Sequence, residues 1–210
     1  MDGIMARGPQ PQLGLLRRVS EGADRFGPAS GLLDRLGVHH PATLSHSFRV
    51  ARIALGMWQT APELLGDPEQ LVLGAVLHDI GKLFIPADLL SAPREPAEAE
   101  RRVLDLHCQS GAHVVALAGC SPAVQEMVFR HHERWDGLGY PGAIPLREAA
   151  MAVRAVAVAE AFAAMIEPGR GWRPRRPEAA AVSEILAGRG TQFDPMMAEI
   201  LVESLLAPLS

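Results

Sequence analysis

Apolar residues recur along this chain at three- and four-residue intervals, and the strict alternation of a surface strand is nearly absent. Leu16, Val19, Ala23 and Phe26 carry the first such stripe and predict an N-terminal accessory helix or two. After the break GPASG, Ser30 is placed to cap a short helix running through Leu36. His46, Val50, Ile53 and Met57 share one face of a helix over 43–60; APELLGDP interrupts, and a helix over 68–80 follows. The proline-spaced IPADLLSAPREPAEAE leads into a helix over 97–117, and Pro122 suits the first turn of another that runs to an HHE segment. Beyond GLGYPGAIP lies an apolar helix over 146–166, then the basic, Pro/Gly-rich loop EPGRGWRPRRP. Two helices close the chain, PEAAAVSEILAGRG stopped by glycine and DPMMAEILVESLL opened by Asp194-Pro195. With no internal repeat or low-complexity tract, the expectation is an all-α fold: an accessory segment over 1–37 and one compact domain over 38–210.

Composition narrows this picture. A chain of 210 residues can bury one good core, and a net charge of −4 leaves no footprint for a DNA or RNA polymer as partner. Cys108 and Cys120 form neither a CxxC pattern nor a disulfide framework, which suits a reducing cytoplasm; both are read as packing residues. MDGIMARGPQPQLGLLRR lacks the apolar core and cleavage site of a secretory signal. EAAMAVRAVAVAEAFAAMI is interrupted by Arg154 and Glu160 and is rich in alanine, so it reads as a buried helix and not a membrane span. Its Met151 to Met165 stripe reads as core.

HHERWDGLGYP, at 131–141, concentrates imidazole and turn chemistry in an otherwise apolar chain. Taken singly, each histidine has an ordinary reading. His46 can be a satisfied core histidine, His39 and His40 a connecting turn, and His78 and Asp79 a helix end with Gly81 stopping it and Lys82 facing water. Taken together they differ. His46, His78, His107 and His131 each fall on the inward stripe of their helix, and Glu160 sits in a nearly uncharged stretch where an unpaired carboxylate costs several kcal/mol. Buried histidines and carboxylates that converge are the usual makings of a metal site. Neighbouring residues on a helix point about 100° apart, so His131 and His132 reach one ion most easily where the helix ends, and WDGLGYP supplies that ending.

HSFRVARIA, LHDIGKLFIP, a lone His107 preceded by an acidic helix, HHERWDGLGYP and the late GTQFDP together resemble the HD-GYP branch of the HD phosphohydrolases. The resemblance runs over 43–206. An HD pair alone is weak evidence; HHE…DGxGYP joined to HDIGK at this spacing is very specific. It implies a compact all-helical domain with a metal centre between core helices, holding iron or manganese, with zinc also compatible with an all-N/O ligand set. It further implies hydrolysis of cyclic di-GMP, to linear pGpG and on to GMP, by a metal-activated hydroxide. Position by position, Asp79 would bridge two divalent ions; His46, His78 and Glu160 would complete one site, and His107, His131 and His132 the other. Lys82 would contact the phosphate as a point charge, so that Asp79 and Lys82 carry the catalysis. Tyr140 and Pro141 would face substrate or a docked GGDEF-type partner, with Glu133 in a supporting role.

Three departures qualify the resemblance. Where some members carry a glutamate for a third ion, this chain has Ala42, so a binuclear centre is expected. The family segment VADxFDAL reads VAVAEAFAAM here, placing Glu160 at the ligand position and Ala163 at the second acid. The extra methylene moves a carboxylate outward by about 1.5 Å, while metal distances are held to roughly 0.2 Å. Either the helix shifts or Glu160 pairs with a basic neighbour instead. An RPYR-like segment is replaced by GRGWRP, where Arg170 and Arg173 could bracket phosphate and Trp172 could stack on guanine, or where a basic loop is simply solvated. The leading expectation is a cyclic di-GMP phosphodiesterase. The alternatives are a non-catalytic module that binds ligand and docks a partner, and a phosphohydrolase for another nucleotide.

Overall fold

The computed structural model describes residue 14, residues 28–167 and residues 174–206. Helices α1 (Pro28–His39) and α2 (Pro41–Thr60) are separated only by His40, whose ring Nδ1 meets the Thr43 backbone N–H at 3.2 Å and caps α2. Of the connection expected at His39 and His40, only His40 lies between the helices; His39 is the last residue of α1. Helix α1 begins two residues before Ser30, and it buries Leu33 and Leu36 in the common core, so the boundary expected at residue 37 falls inside a helix. The stripe from Leu16 to Phe26 lies outside the described residues.

Helix α2 is the axis of the fold. Its Val50, Ala51, Ile53, Ala54, Leu55 and Met57 are buried, and it packs against α1, the short α3 (Pro62–Leu65) and α4 (Pro68–Leu77). Asp67 caps α4 through the Glu69 N–H, and every residue from Leu71 to Leu77 is buried. The helix expected over 68–80 stops early: His78 and Asp79 form a turn, and Ile80–Phe84 continue as a 3-10 helix. After α5 (Ala87–Leu90), the helix expected over 97–117 is two, α6 (Glu98–Asp105) and α7 (His107–Leu117), broken at Leu106. The reason is burial. Helix α6 buries nothing and carries its charges into water, whereas α7 must pack His107, Cys108, Gly111 and Val115 inward.

Helix α8 (Pro122–Arg130) opens on Ser121, whose hydroxyl accepts from Val124 N–H, and packs on α4 and α7. A 3-10 turn (Leu146–Glu148) precedes α9 (Met151–Ile166), so the helix expected over 146–166 also divides. Arg154 donates to the carbonyls of Ala149 and Arg147 at that break. Helices α10 (Glu178–Ala187) and α11 (Pro195–Leu206) finish the fold, with α9 and α11 both against α2. The described residues contain an isolated bridge between Arg189 and Phe193 but no strand. Met165 is core, Met151 packs against it, and Cys108 and Cys120 are free thiols, buried and half-buried. Among the described residues no helix is long and apolar enough to cross a membrane.

Candidate metal centre

The HD turn is pressed against α7 by two glycines. A Cβ on Gly81 would stand 2.0 Å from the His107 carbonyl oxygen and 2.6 Å from the Gly111 nitrogen, so only glycine permits this approach. The contact sets Asp79, at the end of α4, beside His107 at the start of α7. Asp79 Oδ1 is 3.4 Å from His107 Nε2 and 4.0 Å from His131 Nε2; Oδ2 is 3.4 Å from His78 Nε2 and 2.6 Å from Lys82 Nζ.

Two groups of converging donor atoms result, and Asp79 belongs to both. One joins Asp79 with His107, His131 and His132; the other joins it with His46 and His78. The end of α8 at Arg130 frees the next two residues to turn inward, as the HH pair requires, with ring centroids 4.2 Å apart. Glu160 stands apart. Its Oε1 is 4.0 Å from His46 Nε2, a long ion pair, and it belongs to neither group.

Proton placement tests whether these residues suit a cation. The Nδ1 atoms of His78, His107 and His131 lie 2.7, 2.6 and 2.8 Å from the carbonyls of Ala75, Leu104 and Val128. A carbonyl only accepts, so each ring carries a proton on Nδ1 and points its Nε2 lone pair at Asp79. His107 Nε2 and His131 Nε2 face each other at 3.2 Å, and His78 Nε2 and Asp79 Oδ1 are buried without a hydrogen-bond partner. Protons do not easily fill this gap: burial pushes His107 down to about 4 and His131 and His132 well below the ordinary range. His78 moves the other way, burial being outweighed by the adjacent Asp79, while Lys82 and His78 outweigh burial at Asp79 and hold its carboxyl well below the usual value. A buried carboxylate among inward lone pairs fits a divalent ion.

Lys82, expected either in water or on substrate, is tied to Asp79 and lines a cleft of about 320 Å³ that opens over the centre. His46, His107, His132, Tyr140 and Glu160 line the same cleft. Tyr140 stacks on His132 at 4.7 Å, and Glu133 is buried and accepts from the Gly142 and Ile144 N–H groups, gripping the loop as a supporting residue. A Cβ on Gly139 would lie 2.5 Å from the His132 oxygen, so the DGLGYP loop folds back onto the helix end it follows. GTQFDP anchors that loop: Trp135 and Asp136 donate backbone N–H bonds to Gln192 and Thr191, and Arg154 pairs with Asp194 at 3.0 Å. Arg170, Trp172 and Arg173 lie outside the described residues.

Sequence reasoning missed Glu167. Both its oxygens lie 3.0 Å from His46 Nδ1, and Oε1 accepts from Arg49 Nε at 2.8 Å. Burial would raise this carboxyl, but His46 and Arg49 hold it below its ordinary value. Its position at the mouth of a basic loop disguised it as loop polarity.

These features define a helical domain built around a histidine–aspartate centre of metal-binding type. A family profile described as HD domain matches residues 34–197. The chain belongs to the HD domain family, and HDIGK with HHE…DGLGYP sets it in the HD-GYP branch. It is 33% identical over 138 residues to a cyclic di-GMP phosphodiesterase of Vibrio cholerae, covering 62% of this chain and 28% of that protein. It is 28% identical over 129 residues to the 3'3'-cGAMP-specific phosphodiesterase 2 of the same organism, covering 60% and 24%. The chain thus spans about a quarter of the length of these curated relatives. An HDG"Y"P protein from Bdellovibrio bacteriovorus has the same fold, with a TM-score of 0.65 at 18% identity over 93% of this chain and 62% of that one.

Proposed function

We propose that this chain is a divalent-metal phosphodiesterase acting on a cyclic dinucleotide, cyclic di-GMP being the first candidate. The observation that carries the reading is the pair of donor groups sharing one buried carboxylate, with three imidazole lone pairs fixed toward it by backbone carbonyls. In this reading His107, His131 and His132 would hold one ion and His46 and His78 another, with Asp79 available to both and Glu160 outside the two groups. Divalent ions there, iron or manganese being favoured and zinc compatible, would supply Lewis acidity and an activated water at neutral pH.

The protein's own groups do the rest. Lys82 stands on the cleft side of Asp79, where it can contact a phosphate oxygen while keeping the carboxylate ionised. The Tyr140 ring, stacked on His132, forms a wall of the cleft that can orient a nucleotide. The His78, His107 and His131 rings are buried, which limits the access of water to their side of the centre. Arg170, Trp172 and Arg173 are assigned to nucleotide binding on sequence grounds alone. With a cyclic dinucleotide as substrate, the cytoplasm is the compartment this reading assigns. The helices from Pro28 onward are assigned to the phosphodiesterase domain, and the accessory role to the residues before them.

A second reading, a weak or inactive module that docks a partner such as a GGDEF-type protein, is favoured by the separation of Glu160 from both groups and by the exposure of Leu138 in the GYP loop. Metal analysis of anaerobically purified protein, with cyclic di-GMP turnover measured beside Asp79→Ala, separates these. The expected result is two metal equivalents and a turnover that Asp79→Ala lowers by about 10³-fold or more. Two equivalents without turnover would point to another nucleotide, and little metal without turnover to the docking module.

A further inference from the structure

His46 is oriented differently from the other histidines of the centre. His78, His107 and His131 each give the Nδ1 proton to a carbonyl three residues back on their own chain segment, so each ring is aimed by local backbone. The Nδ1 proton of His46 goes to Glu167, a side chain 121 residues away at the end of α9. A carboxylate only accepts, so this contact keeps the proton on Nδ1 and leaves Nε2 to face His78 and Asp79. Arg49, one turn beyond His46 on α2, holds the same carboxylate through Nε at 2.8 Å. The two positions where the family resemblance places further acids are Ala42 and Ala163. Glu167 follows Ala163 by four residues, on the same side of the helix end, and lines the cleft together with Ala42 and His46.

We propose that Glu167 is a positioning residue: its carboxylate, steadied by Arg49, holds the His46 imidazole in the tautomer and direction that ion binding by His46, His78 and Asp79 requires. The proposal rests on the metal-centre reading above. It differs from a simple tie between α2 and α9, which would affect melting but not one ion selectively.

The test uses the full chain with Glu167→Ala, Glu167→Gln and Arg49→Ala. Nitrogen-15 NMR of metal-free protein reads the His46 tautomer, and chelator competition with manganese alone reads the affinity of each equivalent. Glu167→Ala is expected to lose the Nδ1–H tautomer preference and to weaken one equivalent by about 10–100-fold while leaving the other within about twofold. Glu167→Gln, whose amide oxygen still accepts, is expected to keep the tautomer and recover most of the affinity, with Arg49→Ala intermediate. A Glu167→Ala protein that keeps both the tautomer and both affinities, or that only melts lower, overturns the proposal. Wild-type protein that takes up no metal overturns the proposed function instead, and the tautomer comparison still decides the positioning role.

Discussion

Glu160 is the residue on which the centre is least well made. Helix α9 is held by buried Val153, Val156, Val158 and Phe162, so it has little freedom to move a carboxylate in or out. From that fixed helix Glu160 reaches only to 4.0 Å from His46 Nε2, outside the donor groups. Shortening the side chain draws the carboxylate back by about 1.5 Å. Glu160→Asp is therefore expected to move the carboxylate farther from His46 and to lower manganese affinity at the His46 side by about tenfold, as a change of about 1.4 kcal/mol would give, with turnover falling in step. Isothermal titration with manganese and a cyclic di-GMP assay check it; tighter binding in the variant would mean the longer side chain overshoots the ion. The glutamate at 160 and the alanine at 163 could be read from the sequence because they lie within a motif. Glu167 could not, because its meaning depends on His46 and Arg49, which only folding brings to it.

At the scale of elements, the decisive contact is between the HD turn and α7. Residues 78–82 leave the α-helix for a 3-10 turn just where Gly81 meets the His107 carbonyl and the Gly111 amide. That approach is what brings Asp79 within 3.4 Å of His107. Gly81→Ala forces the turn and α7 apart, a backbone clash that no side-chain rotation relieves. It is expected to cost about 1–3 kcal/mol in denaturant unfolding and to lower metal affinity together with stability. Unchanged affinity for both ions would show that the Gly81 contact does not set the Asp79–His107 spacing. Helical periodicity made α2, α4, α8 and α9 legible because each buries a regular stripe. It did not reveal the breaks at Leu106 and before Met151, since apolar spacing continues across both. At Leu106 an exposed helix gives way to a buried one, with His107 on the Leu104 carbonyl, and before Met151 Arg154 takes the carbonyls of Ala149 and Arg147. The GYP loop is likewise settled by distant partners, Glu133 from within and GTQFDP from the far end of the chain.

For the whole molecule, the centre couples folding to pH and to metal. In metal-free protein His107 is held down to about 4, and His131 and His132 well below their ordinary value of 6.5, all first by burial. As pH falls from about 6.5 toward 4, the unfolded chain takes up protons on these rings that the folded chain resists, so stability falls, by up to about 1.4 kcal/mol per pH unit for each ring. His78 works in the opposite sense. Its folded value is raised, so its contribution is present below 6.5 and is lost as pH rises through that raised value. Asp79, held far down, contributes above its unfolded value of 3.8 and does not titrate within this window. Three rings against one leave a net loss in acid. The melting temperature of metal-free protein is expected to drop between pH 7 and pH 4.5, each 1 kcal/mol appearing as about 2–4 °C for a chain of this size. Saturating manganese should raise the curve at pH 7 and make its acid limb steeper, because an ion binds only the unprotonated Nε2 atoms and competes with protons for them. A chelator should return it to the metal-free curve. Scanning calorimetry across that range with and without manganese decides the matter: a metal-free curve that is flat or rises toward acid would mean the buried rings are not held neutral, and a curve that manganese does not move would mean that the lone pairs gathered around Asp79 do not bind that ion.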